Sequence, residues 1–485
     1  MLLRKAMQAD VPALCEFYKK VCDKMEAGGL HQWLWGKYPS AELVQQDVDK
    51  GVLYCVYGEK GLAIAVTVET GDEPDYAGVR WIYGVKPGIF RRLAVNPDQQ
   101  GQGLGKKALA DIKEILRALG CDCLRCDTYE DNTIAIRMYA REGLRQAGRI
   151  QLNYRPRKFV CYEEPLTESC PILPINMHPS FRGGKLTPWG GKRLMTMYDK
   201  PITDIPTGES LEVSCIPDLQ STDDTGVRLS DLIRKHGRSL VGNYAMKPFP
   251  LLMKLIDARE SLSVQVHPND AYAAENEHGK LGKTEAWLIL EAPKGSQLVY
   301  GIKPGTTLEE LKAACEQGAA VEPLLRRVDV KPGDVCYIPA GCVHAIGAGI
   351  LLYEIQQSSD ITYRFYDWDR VDAKGNKREL HLEKALDVTD LSFSLDPIPA
   401  PDAPLARVLD EQYFTLDLMH AAEGAPVKLP AVSNFGLLTA LDAGLTLTWM
   451  NGECVLNKGD SLFIPTTAPA LTLVGTGRAA LSMPR

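Results

Sequence analysis

Two kinds of hydrophobic patterning divide the chain. Up to about residue 165, helix-like and strand-like spacing alternate: a helical pattern covers 10–25, and strand patterns cover 52–57 and 62–69. From residue 171 onward, short β-branched and aromatic runs are separated by Gly, Pro and Asp, and helical spacing is confined to stretches such as 307–316. The pattern predicts an α/β domain followed by a mostly-β part.

A proline-rich segment separates the two parts. Pro165, Pro171, Pro174 and Pro179 lie close together in a stretch that we expect to form neither helix nor sheet. We therefore predict an N-terminal domain at 1–165, a linker at 166–178, a first β-barrel with helical insertions at 179–384, and a second barrel at 385–485.

A short repeat supports the two-barrel prediction. Gly333-Asp334-x3-Ile338-Pro339 recurs as Gly459-Asp460-x3-Ile464-Pro465, an offset of 126 residues (459 minus 333). Gly-Asp supplies a tight turn and Ile-Pro ends the next strand, so hairpin chemistry alone is the alternative explanation. We favour duplication.

Composition narrows the function classes. The 485 residues are 45% hydrophobic and 24% charged, with a net charge of −7, so nothing favours nucleic acid or anionic lipid as a partner. No apolar run is long enough to cross a membrane, and charges appear within the first ten residues, so we expect a cytoplasmic protein. The 13 cysteines fit reduced thiols. We expect Cys121, Cys123 and Cys126 to pack in a strand rather than bind metal.

A glycine-rich turn follows the predicted strand Ile89–Val95. The turn, Gln100-Gly101-Gln102-Gly103-Leu104-Gly105, precedes a helical run that extends to Leu119. Free backbone amides and the positive end of a helix dipole stabilise a diphosphate at such a turn. The glycine motif alone is weak evidence, but its position between a strand and a helix strengthens it.

The order of elements here resembles the GNAT acyl-CoA N-acyltransferases over roughly residues 1–160. A strand at 124–128 and a helix near Asn132–Gly143 complete the similarity. The resemblance implies acetyl-CoA as cosubstrate, an unidentified amine acceptor, and Tyr139 as the acid that protonates the leaving thiolate. It also assigns coenzyme A to these residues: Leu93, Ala94, Val95, Gln100, Gly101, Gln102, Gly103, Leu104, Gly105 and Asn132.

Several points in this half stay open. Asn132 and Tyr139 are seven residues apart, which predicts that both project from one helix face. Tyr139 is alternatively a buried aromatic that closes the helix on the sheet. Trp33, Trp35 and Tyr38 either shape the acceptor pocket or belong to the core. Glu130 and Asp131 are candidate bases. The domain is alternatively a degenerate sensor of coenzyme A.

Polar side chains alternate with apolar ones in a second candidate site. Ser263, Gln265 and His267 are two residues apart and should share a strand face, while Leu262, Val264 and Val266 face an apolar layer. Lys283 and Glu285 share a face by the same rule. Gln265, His267, Glu285 and His344 can converge, and their oxygen and imidazole groups suit zinc or a similar divalent ion.

The mostly-β part resembles the type I mannose-6-phosphate isomerases of the short bacterial form, which are cupins. Gln265-x-His267 and Pro339-x-Gly341-x2-His344 are similar to the two cupin motifs, and further matching segments follow: Trp189–Gly191, Gly208–Glu212, Phe249–Lys254, Leu262–Asp270, Gly282–Trp287 and Thr362–Trp368. The resemblance implies one zinc per chain, held by Gln265, His267, Glu285 and His344. It places these residues in the catalytic pocket: Ser263, Lys283, Glu354 and Arg364.

The implied reaction interconverts mannose 6-phosphate and fructose 6-phosphate through an enediol. Lys283 and Glu354 are both candidate bases, and Arg364 is the candidate for holding an anionic substrate. Two alternatives are an oxygen-activating iron cupin, which Gln265 disfavours, and a regulatory module that binds sugar phosphate without turnover. Ala470 aligns with His344 by the repeat offset, so we expect no metal in the second barrel.

Overall fold

The computed structural model describes residues 2–152, 155–371 and 375–485. The chain divides into two compact units. The first is Met1–Leu173 with Met450–Gly452 and Thr467–Pro469, and the second is Pro174–Trp449 with Glu453–Thr466 and Ala470–Arg485. No described helix has both the length and the apolar composition needed to cross a membrane.

The first unit is built on one seven-stranded sheet with the order β1-β2-β3-β4-β5-β7-β6. Its strands are β1 (Arg4–Lys5), β2 (Leu53–Gly58), β3 (Gly61–Thr70), β4 (Pro87–Val95), β5 (Cys123–Tyr129), β6 (Arg145–Ile150) and β7 (Phe159–Pro165). Its helices are α1 (Val11–Ala27), α2 (Ala41–Asp49), α3 (Leu104–Ala118) and α4 (Thr133–Arg141), and a short 3₁₀ helix covers Pro74–Tyr76.

Helices cover the sheet of the first unit through two separate hydrophobic clusters. Leu14 and Tyr18 of α1 and Val48 of α2 pack in one cluster. Leu109 and Ile112 of α3 pack in another, with apolar residues of β3, β4, β5 and β7. This confirms the predicted α/β class, because each helix buries one apolar stripe against the sheet.

The second unit is mostly β and forms four sheets. Its strands are β8 (Ile175–Met177), β9 (Ser180–Gly183), β10 (Thr207–Val213), β11 (Leu251–Asp257), β12 (Val264–Val266), β13 (Glu285–Glu291), β14 (Gln297–Ile302), β15 (Leu325–Asp329), β16 (Asp334–Ile338), β17 (His344–Ala345), β18 (Leu351–Gln357), β19 (Tyr363–Tyr366), β20 (Ile398–Pro399), β21 (Leu405–Asp410), β22 (Phe414–Ala421), β23 (Val427–Lys428), β24 (Gly436–Ala440), β25 (Leu445–Trp449), β26 (Gly452–Leu456), β27 (Ser461–Ile464), β28 (Thr472–Gly475) and β29 (Gly477–Pro484). Its helices are α5 (Arg193–Thr196), α6 (Leu229–His236), α7 (Arg238–Val241), α8 (Asp270–Asn276), α9 (Leu308–Glu316) and α10 (Leu382–Val388).

The first barrel consists of two antiparallel sheets, ordered β20-β16-β13-β18-β11-β10-β9 and β15-β14-β17-β12-β19. Trp287 and Leu352 of the larger sheet and Leu298 and Tyr300 of the smaller one meet in a common core. Another cluster packs α8, α9 and α10 on Val264 and Val266 of the smaller sheet. The sheets ordered β21-β22-β29-β24-β27-β8 and β23-β28-β25-β26 form the second barrel.

Two predicted boundaries differ in detail from the structure. The segment 166–178 was expected to contain no regular structure, yet β8 lies in it and pairs with β27 of the second barrel. Pro174 and Pro179 flank β8 rather than interrupt it, so its ladder bonds can form. The expected boundary at 384/385 lies within α10, whose Ala385 and Leu386 pack on the first barrel.

The repeated motif has the same local structure in both barrels. Gly333 and Gly459 have positive φ angles of 93° and 85°. Asp334 accepts a hydrogen bond from the Lys331 N–H at 3.0 Å, and Asp460 accepts the corresponding one from the Asn457 N–H at 2.8 Å. The repeat therefore encodes one turn used twice.

Candidate active sites

The four proposed metal ligands come together in the first barrel. Gln265 lies on β12 and pairs in register with His344 at the start of β17. His267 directly follows β12, and Glu285 begins β13 in the facing sheet. Ligand atoms of His267, Glu285 and His344 all lie within 4.8 Å of one another, the one such group of three or more found among the described residues.

The Nε2 atoms of both histidines lie close to the same carboxylate. His344 Nε2 lies 3.3 Å from one oxygen of Glu285, and His267 Nε2 lies 3.7 Å from the other. His344 Nδ1 donates to the Cys342 carbonyl at 2.9 Å, which leaves Nε2 as an acceptor. Gln265 Nε2 donates to that acceptor at 3.2 Å.

Burial keeps both imidazoles neutral. Burial, followed by the charge of Lys283, lowers the pKa of His267 well below its ordinary value. Burial also lowers the pKa of His344, to about 3. Neutral imidazoles are the form that coordinates a metal.

The Glu285 carboxylate is fully buried and fits a cation. Neither of its oxygens accepts a hydrogen bond within the described chain, although Lys283 Nζ lies 2.8 Å from Oε2. Two imidazole lone pairs facing a carboxylate repel it unless positive charge lies between them. Lys283 supplies part of that charge on the His267 side. No described cation faces Oε1 and His344 Nε2, so a divalent ion fits this group.

The remaining predicted pocket residues line one cavity of about 130 Å³ next to this cluster. Ser263, Lys283, Glu354 and Arg364 all contribute to its wall, as does Gln265. Lys283 Nζ donates to His267 Nε2 at 2.9 Å. The structure thus brings together all eight residues that the sequence assigned to this site.

Two charged residues in the wall of this cavity, Lys254 and Glu209, were not predicted for the site. Lys254 Nζ lies 3.1 Å from Glu354 and 3.6 Å from Glu209. Burial alone would lower the pKa of Lys254, but the two carboxylates raise it. Trp287 Nε1 donates to Glu354 at 3.0 Å, and burial raises the pKa of that carboxyl. The signal in the sequence was a lysine among the apolar residues at 251–256 of strand β11.

The alternation expected around β12 holds only in part. Val264 and Val266 pack in the cluster under α8, α9 and α10, as predicted. Leu262 instead joins the core between the two sheets. It lies before β12 begins, and the pairing of β12 with β19 shifts register between Val264 and Gln265. The period-two rule therefore fails at Leu262.

In the first unit, β4 and β5 separate. They pair in parallel only from Pro87–Ile89 with Cys123–Arg125, while β4 continues along β3 to Val95. The part of β4 that does not pair with β5 therefore includes Leu93, Ala94 and Val95. A bulge there holds Arg92 at a φ of 54°.

The glycine loop has the geometry of an anion cradle. Gly101 and Gly103 have φ angles of 82° and 74°, which strongly favour glycine. No N–H of residues 100–103 donates a hydrogen bond within the described chain. Leu104 begins α3, and a Cβ on Gly105 would lie 2.7 Å from Met138 Sδ, so Gly105 permits close helix packing.

Asn132 and Tyr139 do not share a helix face. Asn132 is the residue before α4 and caps it, accepting from the Ala135 N–H at 3.1 Å and donating to Gln32 at 2.8 Å. The helix was expected to include it, but Asn side chains favour the cap position. Tyr139 is 4% exposed, and its ring packs 5.9 Å from Phe90 and 5.3 Å from Tyr162.

Comparisons with known proteins agree with this geometry. The Acetyltransferase (GNAT) family model matches residues 28–144, and the model for the catalytic domain of type I phosphomannose isomerase matches 185–287. The mannose-6-phosphate isomerase of Streptococcus mutans is 38% identical over 287 residues, which are 58% of this chain and 89% of that protein. One from Bacillus subtilis is 39% identical over 288 residues, 57% of this chain and 89% of its own length.

A solved structure shows the same relationship. The crystal structure of the mannose 6-phosphate isomerase from Bacillus subtilis is 33% identical, with a TM-score of 0.59, and the match covers 64% of this chain and 99% of that one. The chain therefore belongs to the mannose-6-phosphate isomerase family, with a GNAT-family acetyltransferase domain preceding the isomerase part.

Proposed function

We propose that the first barrel is a zinc-dependent isomerase that interconverts mannose 6-phosphate and fructose 6-phosphate. The observation that carries this proposal is the buried Glu285 carboxylate, which faces two neutral imidazoles beside a polar cavity and, within the described chain, has only the Lys283 ammonium as a nearby positive group, on its Oε2 side. The names of the relatives supply the substrate pair.

Gln265, His267, Glu285 and His344 would hold one zinc ion. When bound, the ion supplies positive charge that stabilises oxyanion character in the substrate. Arg364 lines the same cavity, and burial lowers its pKa without neutralising an arginine, so it can hold an anionic group of the substrate.

The proton that moves between carbons 1 and 2 needs a base in the cavity wall. Lys283 and Glu354 both line it. Lys254 and Trp287 hold Glu354 in place, and Lys283 is held by His267 and Glu285. Ser263 adds a hydroxyl that can orient the substrate. Exchange of the substrate's transferred hydrogen with D₂O distinguishes the two candidate bases. In Glu354→Gln, this exchange should stop if Glu354 carries the proton and should persist if Lys283 carries it.

An assay on fructose 6-phosphate tests the isomerase proposal. We expect turnover that a chelator abolishes and that added Zn²⁺ restores. Binding of fructose 6-phosphate without turnover, with zinc present, would instead indicate a regulatory module.

We also propose that the first unit is an N-acetyltransferase that uses acetyl-CoA. The loop of residues 100–105 would hold the pyrophosphate, and backbone groups of residues 93–95 would orient the donor. Burial, followed by the charges of Cys126 and Asp127, raises the pKa of Tyr139 well above its ordinary value. The phenol therefore stays protonated, as an acid that serves the leaving thiolate must. Calorimetric titration with coenzyme A tests this assignment, and an absence of binding would refute it.

A further inference from the structure

A second cavity, of about 330 Å³, lies in the first unit. Its wall includes Arg91 and Arg92 of β4 and Asp127 of β5, so it opens where these two strands separate. Aromatic side chains form much of the remaining wall: Trp33, Tyr38, Tyr76 and Phe159. Its volume suits a small molecule.

The charges in this cavity favour a cation. Arg91 is ion-paired with Glu69 and Glu73, and Arg92 is ion-paired with Asp47. Two carboxylates in the wall, Asp75 and Asp127, have no ion pair within the described chain. Among the basic side chains of the wall, only the exposed Lys50 has no ion pair within the described chain.

Asp127 is positioned as a base. It lies two residues beyond Arg125, the last residue of β5 that pairs with β4, and therefore at the point of separation. Tyr76 donates to Oδ1 at 2.9 Å, and the Asp127 carboxylate accepts no second hydrogen bond within the described chain. Burial raises the pKa of Asp127 to about 6, and the charge of Asp75 acts in the same direction. The hydrogen bond from Tyr76 and the charge of Arg91 act the opposite way. The charge of Asp127 also contributes to the raised pKa of Tyr139, the proposed acid.

The candidate bases Glu130 and Asp131 lie elsewhere. Arg157 is 3.8 Å from Glu130 and 3.6 Å from Asp131, and neither carboxylate lines the cavity. No feature of the sequence indicated that Asp127 could act as a base, because it lies within an ordinary strand pattern.

We propose that this cavity binds the acetyl acceptor as a small, non-phosphorylated cationic amine, and that Asp127 is the general base that deprotonates it. The inference rests on the proposed acetyltransferase activity and adds its acceptor class. Aromatic faces and unpaired carboxylates are the groups that recognise an ammonium ion.

In the proposed reaction, the acetyl group moves from sulfur to the amine nitrogen. The ammonium gives one proton to Asp127, which returns it to solvent. The nitrogen lone pair forms a bond to the thioester carbonyl carbon, and the carbon–sulfur bond breaks with its electron pair on sulfur. Tyr139 protonates the thiolate, and the second nitrogen proton restores Tyr139.

The test uses the full chain, acetyl-CoA, and release of free thiol with tyramine, spermidine or glucosamine 6-phosphate as acceptor. We expect tyramine or spermidine to be acetylated, and glucosamine 6-phosphate to react poorly. Asp127→Asn should lower kcat by roughly 100-fold or more, remove the acidic limb of the pH profile, and leave the Kd for coenzyme A unchanged. Groups that interact electrostatically with Asp127 and so shape that limb are Tyr76, Glu73, Asp75, Arg91, Cys126, Cys161 and Tyr139.

Asp131→Asn is the matched control and should retain activity. The inference would be overturned if both variants lost the same fraction of activity, or if Asp127→Asn kept full activity. It would also be overturned if the enzyme preferred glucosamine 6-phosphate, or acetylated neither cationic amine, while still binding coenzyme A. A chain that does not bind coenzyme A would overturn the proposed acetyltransferase itself.

Discussion

The two candidate sites are built from different parts of the chain. The proposed metal site uses side chains from strands far apart in sequence, and its geometry depends on the register of two facing sheets. The proposed coenzyme A loop would use backbone N–H groups of one contiguous segment, and its geometry depends on two glycines with positive φ. A side-chain site is therefore destroyed by removing a functional group, whereas a backbone site is destroyed by adding a Cβ.

The largest effect should come from removing a metal ligand. We expect His344→Ala to lower isomerase turnover by about a thousand-fold, ~4 kcal/mol, since one donor to the ion is lost. Its Kd for coenzyme A should not change. The control, Ala470→His, places a histidine at the exposed equivalent position of the second barrel and should have no effect on turnover. Wild-type turnover in His344→Ala would contradict the metal-site assignment.

A smaller effect should follow from substitution in the loop. Gly103→Val forces a branched residue to a φ of 74°, and we expect coenzyme A binding to weaken at least about 30-fold, ~2 kcal/mol. Gly120→Val is matched, since Gly120 follows α3 with a φ of 80° and equally open space around its Cβ position. It should cause similar strain without weakening coenzyme A binding. Equal weakening in both variants would show that strain, not the loop, is responsible.

The smallest effect concerns stability and pH. Asp127 keeps its proton up to about pH 6 when folded, but loses it near 3.8 when unfolded. Because the unfolded chain releases this proton first, the free energy of unfolding falls as the pH rises from near 3.8 to about 6, and the full cost remains above pH 6. Asp127→Asn removes this cost, so it should raise the free energy of unfolding at pH 8 by on the order of 1 kcal/mol, and not below pH 4.

Thermal melts at both pH values measure this difference, with the transition of the first unit identified by its shift on adding coenzyme A. A stability gain of the same size at pH 4 and pH 8 would argue against a raised pKa.

The convergence of the proposed metal ligands was predictable because a strand alternates its side chains. Ser263, Gln265 and His267 form a polar stripe in an apolar segment, and the same alternation puts Glu285 on one face with Lys283. The match to a known motif supports His344. The repeated Gly-Asp turn also predicted a common scaffold for both barrels, and it forms in both. Local turn chemistry and period-two alternation are properties of neighbouring residues, so the sequence carries them directly.

Long-range relationships were not predictable in the same way. Asp127 lies in a strand whose pattern looks ordinary. Lys254 stands out in β11, but its role depends on which charges the fold brings beside it. Spacing alone does not show that Asn132 caps α4 instead of lying within it. It also does not show that α10 packs on the first barrel and not on the second. Tertiary contacts decide these cases.

Metal content measured together with turnover tests the central claim most directly. Elemental analysis of the full chain, purified without chelator, should find one zinc ion per chain, and fructose 6-phosphate turnover should fall in proportion as zinc is withdrawn. Glu285→Gln should hold no zinc and show no turnover. Undiminished isomerase turnover in a chain stripped of all divalent metal would contradict the account.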